Sequence, residues 1–293
     1  MRERREGALA AVVVVVLLAF AVGSWLWARR AEPRAREAEW WAQAGWRVNA
    51  VVDPAKPLVL TYNLWTAATS VPDTLDLEPV PAGDFEVVQS DLTHEVDVEN
   101  GISYQLCRLA LSVRFPRSYR DQRIGFLVNA GSWKRILPYG RVTCRVIRGS
   151  VDWLSVSFAS GEIQEPLVMR ENLVTLQLHN GTKAPVRILG LWQAGDDGIS
   201  GVRVVLPETR GTARRMRLPF TLKPGQTAVL EYVLQPHPGT VQQGLVFQPA
   251  LVLASGRAQG FEVMPPVVIE RSFLPWQTHA ARGIVQFVEA VPS

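Results

Sequence analysis

Residues 107–115 read CRLALSVRF, and apolar and polar side chains alternate over the whole stretch. One face of an extended chain would carry five apolar side chains: Cys107, Leu109, Leu111, Val113 and Phe115. The opposite face would carry Arg108, Ala110, Ser112 and Arg114. A period of two residues is that of a β-strand with one face buried and the other in water. The stretch therefore predicts a half-buried strand.

The same alternation recurs along the chain. Residues 141–147, 154–158, 174–178 and 228–234 repeat it, and further β-rich runs cover 245–253, 261–270 and 284–291. Turn-forming residues at 116, 129–131 and 138–140 separate the early runs. Pro265-Pro266 predicts a break or a sheet edge, because proline cannot donate a ladder hydrogen bond. Short strands at this spacing are typical of β-sandwiches, and we expect one over residues 48–160 and another over residues 161–293.

Two segments of the second domain carry a family resemblance. Residues 172–192 read NLVTLQLHNGTKAPVRILGLW, and residues 218–234 read LPFTLKPGQTAVLEYVL. These segments resemble the immunoglobulin-like modules of the NEW3/PapD-like type. The resemblance implies a fold and no site residues. It does not imply a chaperone function, because the pilus chaperones of that superfamily place such a module first, whereas here it comes second. The expected fold class is thus mainly β, with an N-terminal transmembrane helix followed by two immunoglobulin-like β-sandwich domains.

The dipeptide Asn180-Gly181 lies between two of these runs. It predicts a tight hairpin turn, because both central residues of a type I′ turn need positive φ. Together with Thr182 it also matches a glycosylation sequon, and we favour the turn.

The N-terminal residues 8–28 read ALAAVVVVVLLAFAVGSWLWA and carry no charge. As a helix they would span about 30 Å, the thickness of the hydrocarbon core of a bilayer. Trp25 and Trp27 lie where interfacial aromatic residues are expected. We predict a signal anchor. A cleaved signal peptide, with small residues at 22–24 near the cleavage point, and a buried core helix are the alternatives.

This anchor sets the predicted topology. Residues 1–7 would be cytoplasmic, residues 8–28 would contact the lipid bilayer, and residues 29–47 would form a juxtamembrane helix or stalk. The alternative for that segment is a linker whose tryptophans pack on the nearest domain. The expected localisation is the cell membrane, single-pass, with the C-terminal domains extracytoplasmic. Flanking arginines are nearly equal in number on the two sides and do not decide the orientation.

The chain has two cysteines, Cys107 and Cys144, both on the inward face of a predicted strand. We expect a disulfide between them, which would stabilise the fold by about 4 kcal/mol in the chain-entropy model. Two buried free thiols are the alternative. A disulfide would also agree with an extracytoplasmic location.

Charge is divided unevenly within the first domain. Residues 47–106 contain ten acidic and two basic residues, whereas residues 107–160 contain ten basic and two acidic ones. Either the two halves pair across strands, or the domain carries a strong dipole. The arginines we single out as contacts for a partner or an anion are Arg141, Arg145, Arg210, Arg214, Arg215 and Arg217. For the last four, a solvated loop is the alternative.

No catalytic motif is present in the sequence, and the four histidines lack metal-ligand spacing. Asp196-Asp197-Gly198 lacks the further oxygen ligands of a calcium loop and predicts a turn. We predict no enzyme activity, no cofactor, no metal site and, with a net charge of +4, no nucleic-acid binding. The expected function is that of a membrane-anchored extracytoplasmic interaction or structural protein with an unidentified protein partner. The alternative is a membrane-tethered assembly or metal-delivery factor.

Overall fold

The fold is known from a computed structural model, which describes residues 40–66, 75–99, 102–130, 133–158, 172–206, 214–237, 244–269 and 285–287. These residues belong to one compact unit that begins at Trp40. They form β-strands in four sheets, so the predicted mainly β class is confirmed. The predicted anchor at 8–28, with Trp25 and Trp27, lies outside them. Within the described ranges, no helix has the length and apolarity needed to cross a bilayer.

The strands are, in chain order, β1 (Trp40–Gln43), β2 (Trp46–Val52), β3 (Leu58–Thr66), β4 (Asp76–Val80), β5 (Glu86–Glu99), β6 (Ile102–Arg114), β7 (Tyr119–Ala130), β8 (Trp133–Val146), β9 (Ser155–Phe158), β10 (Asn172–His179), β11 (Val186–Trp192), β12 (Gly198–Leu206), β13 (Arg214–Met216), β14 (Phe220–Leu222), β15 (Thr227–Gln235), β16 (Leu245–Gln248), β17 (Ala250–Ser255), β18 (Ala258–Val263), β19 (Val267–Ile269) and β20 (Val285–Phe287). Sheet A has the order β20-β1-β3-β6-β5, and sheet B has the order β19-β16-β2-β8-β7-β4. Sheet C has the order β13-β12-β15-β10-β9, and sheet D has the order β14-β11-β17-β18.

The first hydrophobic core lies between sheets A and B. Residues 107–113 form part of β6, and their predicted inward face is fully buried there, as is Phe115 just beyond the strand. Leu60 and Tyr62 of β3 and Val142 of β8 belong to the same core. Each large apolar side chain buried in this way stabilises the fold by roughly 1.5–3 kcal/mol relative to exposure.

The second core involves sheets C and D together with one end of sheet B. The predicted alternation of residues 174–178 in β10 and 228–234 in β15 is confirmed, because the inward side chains of both strands are buried there. Pro265-Pro266 separates β18 from β19, and β19 is an edge strand, as the prolines predict.

Strand β2 lies inside sheet B, next to β16, the strand that contributes to both cores. It pairs in parallel with β8 on one side and with β16 on the other. Six of its seven residues are buried, and Trp46 stacks on Tyr139 with ring centroids 5.7 Å apart. On β16, Val246 belongs to the first core, whereas Leu245 and Phe247 belong to the second. The predicted domain boundary at 160–161 lies outside the described residues, but strands from both sides of it share sheet B.

Two local predictions are wrong. The helix predicted for 29–47 does not form over the part that the structure describes, because β1 pairs with β3 and β2, which begins at Trp46, pairs with β8; residues 29–39 lie outside the described ranges. The hairpin at Asn180-Gly181 does not form, because β10 and β11 belong to different sheets. Instead the buried Asn180 side chain accepts from Thr182 N–H at 3.0 Å and donates to the Ala184 and Leu222 carbonyls at 3.0 Å each. A buried Asn180 is also no acceptor for a glycan.

The structure does not support the predicted disulfide. Cys107 and Cys144 are both free, buried thiols. The Cys107 sulfur lies 3.7 Å from His94 Nδ1, whereas the Cys144 sulfur lies 3.7 Å from the Arg117 carbonyl oxygen. Each thiol therefore has its own polar neighbour.

We accordingly expect two alkylatable thiols in the chain when it is denatured without reductant. Intact mass spectrometry after iodoacetamide treatment should show two adducts. In the native state both adducts should form slowly, because both sulfurs are buried and the thiolate is the reactive species. A denatured, unreduced chain that takes up no adduct would establish the bond.

A second expectation concerns Glu262, a buried carboxyl on β18. Its Oε1 lies 3.7 Å from the Lys56 ammonium, which also contacts Asp152 at 2.6 Å. Burial raises the pKa of Glu262 to about 7, although Lys56 opposes the shift. Because the folded state holds this proton more tightly than the unfolded chain, the free energy of unfolding should fall as pH rises from about 4.5 to 7.

The variant Glu262→Gln should lose this part of the pH dependence. Relative to wild type it should gain on the order of 1–3 kcal/mol of stability between pH 5 and pH 8. Urea unfolding of both proteins at the two pH values measures the difference. Parallel pH dependence in the two proteins would contradict the expectation.

Candidate functional site

The predicted contact arginines lie in different parts of the fold. Arg141 and Arg145 both belong to β8 of sheet B, on the face turned away from the first core. Arg145 is exposed and lies over the Trp192 ring, 5.5 Å from its centroid. Arg214 and Arg215 belong to β13, at the edge of sheet C, and Arg217 follows as an exposed residue. Arg210 lies outside the described residues. The structure thus separates the β8 pair from the later run.

Sheet B brings further arginines beside Arg141. In the strand register, Arg47 of β2 lies next to Arg141 on one side, and Arg123 of β7 lies next to it on the other. Residues that are directly opposite on neighbouring strands point to the same face. Arg47, Arg123 and Arg141, here called the arginine row, therefore cross three adjacent strands on one face of the sheet.

A cleft of about 310 Å³ opens beside the arginine row. It is lined by Arg47, Asn49, Arg120, Asp121, Arg141, Thr143, Gly195 and Asp196. Strands β2, β8 and β7 supply the first six of these, and the connection between β11 and β12 supplies the last two. The second core covers the β16 and β19 end of this face, so the cleft lies where the covered part of sheet B meets the open part.

Asn49 and Thr143 are paired in register at the cleft and are both largely withdrawn from solvent. The strand β7 has an irregularity between Tyr119 and Gln122, which turns Arg120 and Asp121 toward the cleft. Asp121 has a φ of 53°, and its N–H donates to Thr143 Oγ1 at 3.1 Å. Its carboxylate forms an ion pair with Arg141. The bulge therefore adds to the cleft one arginine that has no ion-pair partner among the described residues and one aspartate that is paired.

Asp197 holds the β11–β12 connection against the sheet. Its carboxylate is fully buried and accepts hydrogen bonds from Asn49 Nδ2 and, at 2.7 Å, from His237 N–H. Its carbonyl oxygen accepts from Gln193 Nε2 at 2.7 Å. Gly195 has a φ of 82° and lies so close to the Asn49 side chain that a Cβ would overlap it. The predicted turn at Asp196-Asp197 is thus the wall of the cleft, with Asp196 exposed at its rim.

The charge division seen in the sequence has two outcomes. Part of it pairs across strands, as in Glu86–Arg114 at 3.6 Å and Glu95–Arg108 at 3.5 Å, both in sheet A. The other part stays unbalanced on sheet B. In the part of the chain that the structure describes, no carboxylate lies within ion-pair distance of Arg47, Arg120 or Arg123. Like charges directly opposite each other on neighbouring strands destabilise a sheet.

This arrangement is suited to binding an anion. A guanidinium group presents a planar fork of donors that matches two oxygens of a carboxylate or phosphate. The two thiols are poor nucleophiles, because burial raises the pKa of Cys107 to about 11 and that of Cys144 to about 12. Across the described ranges, no three His, Cys, Asp or Glu side chains come together as a metal site. Sequence reasoning missed Arg47, Arg120 and Asn49, because strand pairing brings them to Arg141.

Comparisons with known proteins add little to this description. No protein-family model and no curated protein matches the chain. Among solved structures, it is similar to a protein of unknown function from Porphyromonas gingivalis W83, at 13% identity and a TM-score of 0.20, over 74% of this chain and 94% of that one. It is also similar to the C-terminal domain of the AgI/II polypeptide BspA of Streptococcus agalactiae, at 10% identity and a TM-score of 0.17, over 79% of this chain and 99% of that one. Scores this low support no assignment.

The adjacent residues Asp196 and Asp197 provide a matched test of whether the buried Asp197 carboxylate holds the β11–β12 connection against the sheet. Asp197→Asn should lower the free energy of unfolding by about 1–3 kcal/mol, because Asn49 and His237 donate to different carboxylate oxygens and an amide has only one acceptor atom. Asp196→Asn should change it by less than about 0.5 kcal/mol, since that side chain is exposed at the rim. Urea unfolding of both variants gives the comparison. Equal effects of the two substitutions would mean that the buried carboxylate does not hold the wall.

Proposed function

We propose that the protein is a membrane-anchored interaction protein, and that the arginine row of sheet B is the surface that meets an acidic protein partner. The observation that carries the proposal is the presence of three adjacent arginines on one face, only one of which has an ion-pair partner in the described part of the chain. A bound acidic surface would relieve the repulsion among them. Complementary charge of this kind increases the rate of association and orients the partner.

The placement of the protein is part of the same proposal. Residues 8–28 would act as a signal anchor and leave the folded part extracytoplasmic, near the membrane surface. This placement rests on the apolar stretch and not on a disulfide. We also propose that the sheets form two immunoglobulin-like sandwiches, the second of the NEW3/PapD-like type. The basic run at Arg214, Arg215 and Arg217 would then be a solvated edge of sheet C. No observation favours the metal-delivery alternative.

The experiment is photo-crosslinking in cells that produce the full-length protein, followed by identification of the captured proteins. We expect a membrane-associated adduct with an acidic partner. The double variant Arg120→Glu/Arg123→Glu should reduce the rate of adduct formation at least about tenfold, because it reverses two exposed positive charges of this face. Raising the ionic strength above about 0.15 M, where the screening length falls to about 8 Å, should slow capture by wild type in extracts.

Arg215→Glu/Arg217→Glu is the matched control, because it makes the same change in charge on sheet C and should leave capture unchanged. If capture is lost in the Arg215→Glu/Arg217→Glu control and kept in the sheet B variant, the partner contacts the basic run of sheet C instead. If neither double variant nor added salt changes the rate of capture, the proposal is overturned.

A further inference from the structure

We propose that the cleft beside the arginine row is a socket for a single carboxylate group of the partner, held between Arg47 and Arg120. This inference rests on the proposed function and states how the surface recognises an acidic protein. The socket would take an aspartate or glutamate side chain, or a C-terminal carboxylate, that projects from the partner.

The position of the two arginines supports a common ligand. Arg47 is on β2 and Arg120 is on the bulge of β7, so the two residues flank β8 from opposite sides. Neighbouring strands are about 4.8 Å apart, which places β2 and β7 about 10 Å from each other. Two arginine side chains that start at this separation can both reach one group bound above β8. Arg141, which lies between them, is already paired with Asp121.

The polar groups within the cleft fit an acceptor ligand. Thr143 Oγ1 accepts the Asp121 N–H at 3.1 Å, which leaves the hydroxyl proton of Thr143 to donate to a ligand oxygen. Asn49 is 2% exposed and its side chain is held by Asp197, so this part of the cleft is fixed before a ligand binds. Sites that are held in place before binding lose less conformational entropy when the ligand arrives.

Charge and size select the class of ligand. Three arginines and two aspartates line the cleft, which leaves one net positive charge. That balance fits one carboxylate and disfavours a doubly charged phosphate next to Asp121 and Asp196. The volume of about 310 Å³ is at the small end of the range for ligand pockets, so it admits a side chain or a chain terminus. The wall formed by the β11–β12 connection makes the site a recess, which a projecting side chain enters more readily than a flat lipid surface.

The test uses arginine-to-lysine substitutions in the full-length protein, purified in detergent. Lysine keeps the charge but loses the bidentate fork, so the substitution separates a socket from a general basic surface. The probe is a fluorescein-labelled octaglutamate peptide, measured by fluorescence anisotropy, with labelled octaglutamine as the uncharged reference. Arg47→Lys and Arg120→Lys should each weaken binding of octaglutamate about tenfold. Arg123→Lys, in the row but outside the cleft, is the matched control and should change binding less than about twofold.

The outcomes separate this inference from the proposed function. If all three lysine variants bind octaglutamate as wild type does, while Arg120→Glu/Arg123→Glu loses partner capture in cells, the socket is overturned and the interaction surface stands. If wild type binds octaglutamate no better than octaglutamine, the socket is also overturned, and crosslinking alone decides the function. The last measurement is binding of wild type and the lysine variants to vesicles that contain phosphatidylglycerol. Binding to these vesicles that depends on Arg47 and Arg120, without binding to octaglutamate, would assign the cleft to a phosphodiester and overturn the carboxylate.

Discussion

The structure depends on the parallel pairing of β2 with β8 on one side and with β16 on the other. This pairing makes β2 an interior strand of sheet B and buries six of its seven residues. It also requires close approach of the neighbouring chain. A Cβ on Gly140 would overlap the Trp46 carbonyl oxygen, and a Cβ on Gly244 would overlap the Trp46 ring. Glycine at both positions lets Trp46 enter the first core.

The same pairing creates the cleft. Because β2 lies at the point where the second core stops covering sheet B, its outward residues pass from buried to accessible along one short strand. Val51 packs with Ile147 and Ala250, Asn49 contacts the β11–β12 wall, and Arg47 joins the arginine row. The site is thus a product of sheet order, and residues almost 150 positions apart, such as Asn49 and Asp197, are brought into contact by it.

Strands with one buried face could be predicted from the sequence, because a period of two is a local signal. Residues 107–115 and 228–234 show it clearly. The strand β2 could not be found in this way, since a strand that is buried on both faces has no alternation, and the Ala and Glu residues before it favoured a helix. The hairpin predicted at Asn180-Gly181 fails for a related reason. The local preference for a tight turn is outweighed by tertiary pairing, which places β10 and β11 in separate sheets. At the site, Arg141 was predictable from its outward position, whereas Arg47 and Arg120 required the strand register and the bulge.

The distance along the chain between β2 and β16 has a consequence for synthesis. Arg47 pairs with Leu245, so about 200 residues must be made before that edge of β2 is covered. Until then a nascent chain presents β2 as an open, largely apolar edge, which is the kind of segment that pairs wrongly with other chains. Contacts between such distant residues also form slowly, because a long loop must close first. Sheet B is therefore completed late: a ribosome-bound chain that ends before residue 245 has β2, β4, β7 and β8 of this sheet but lacks β16 and β19.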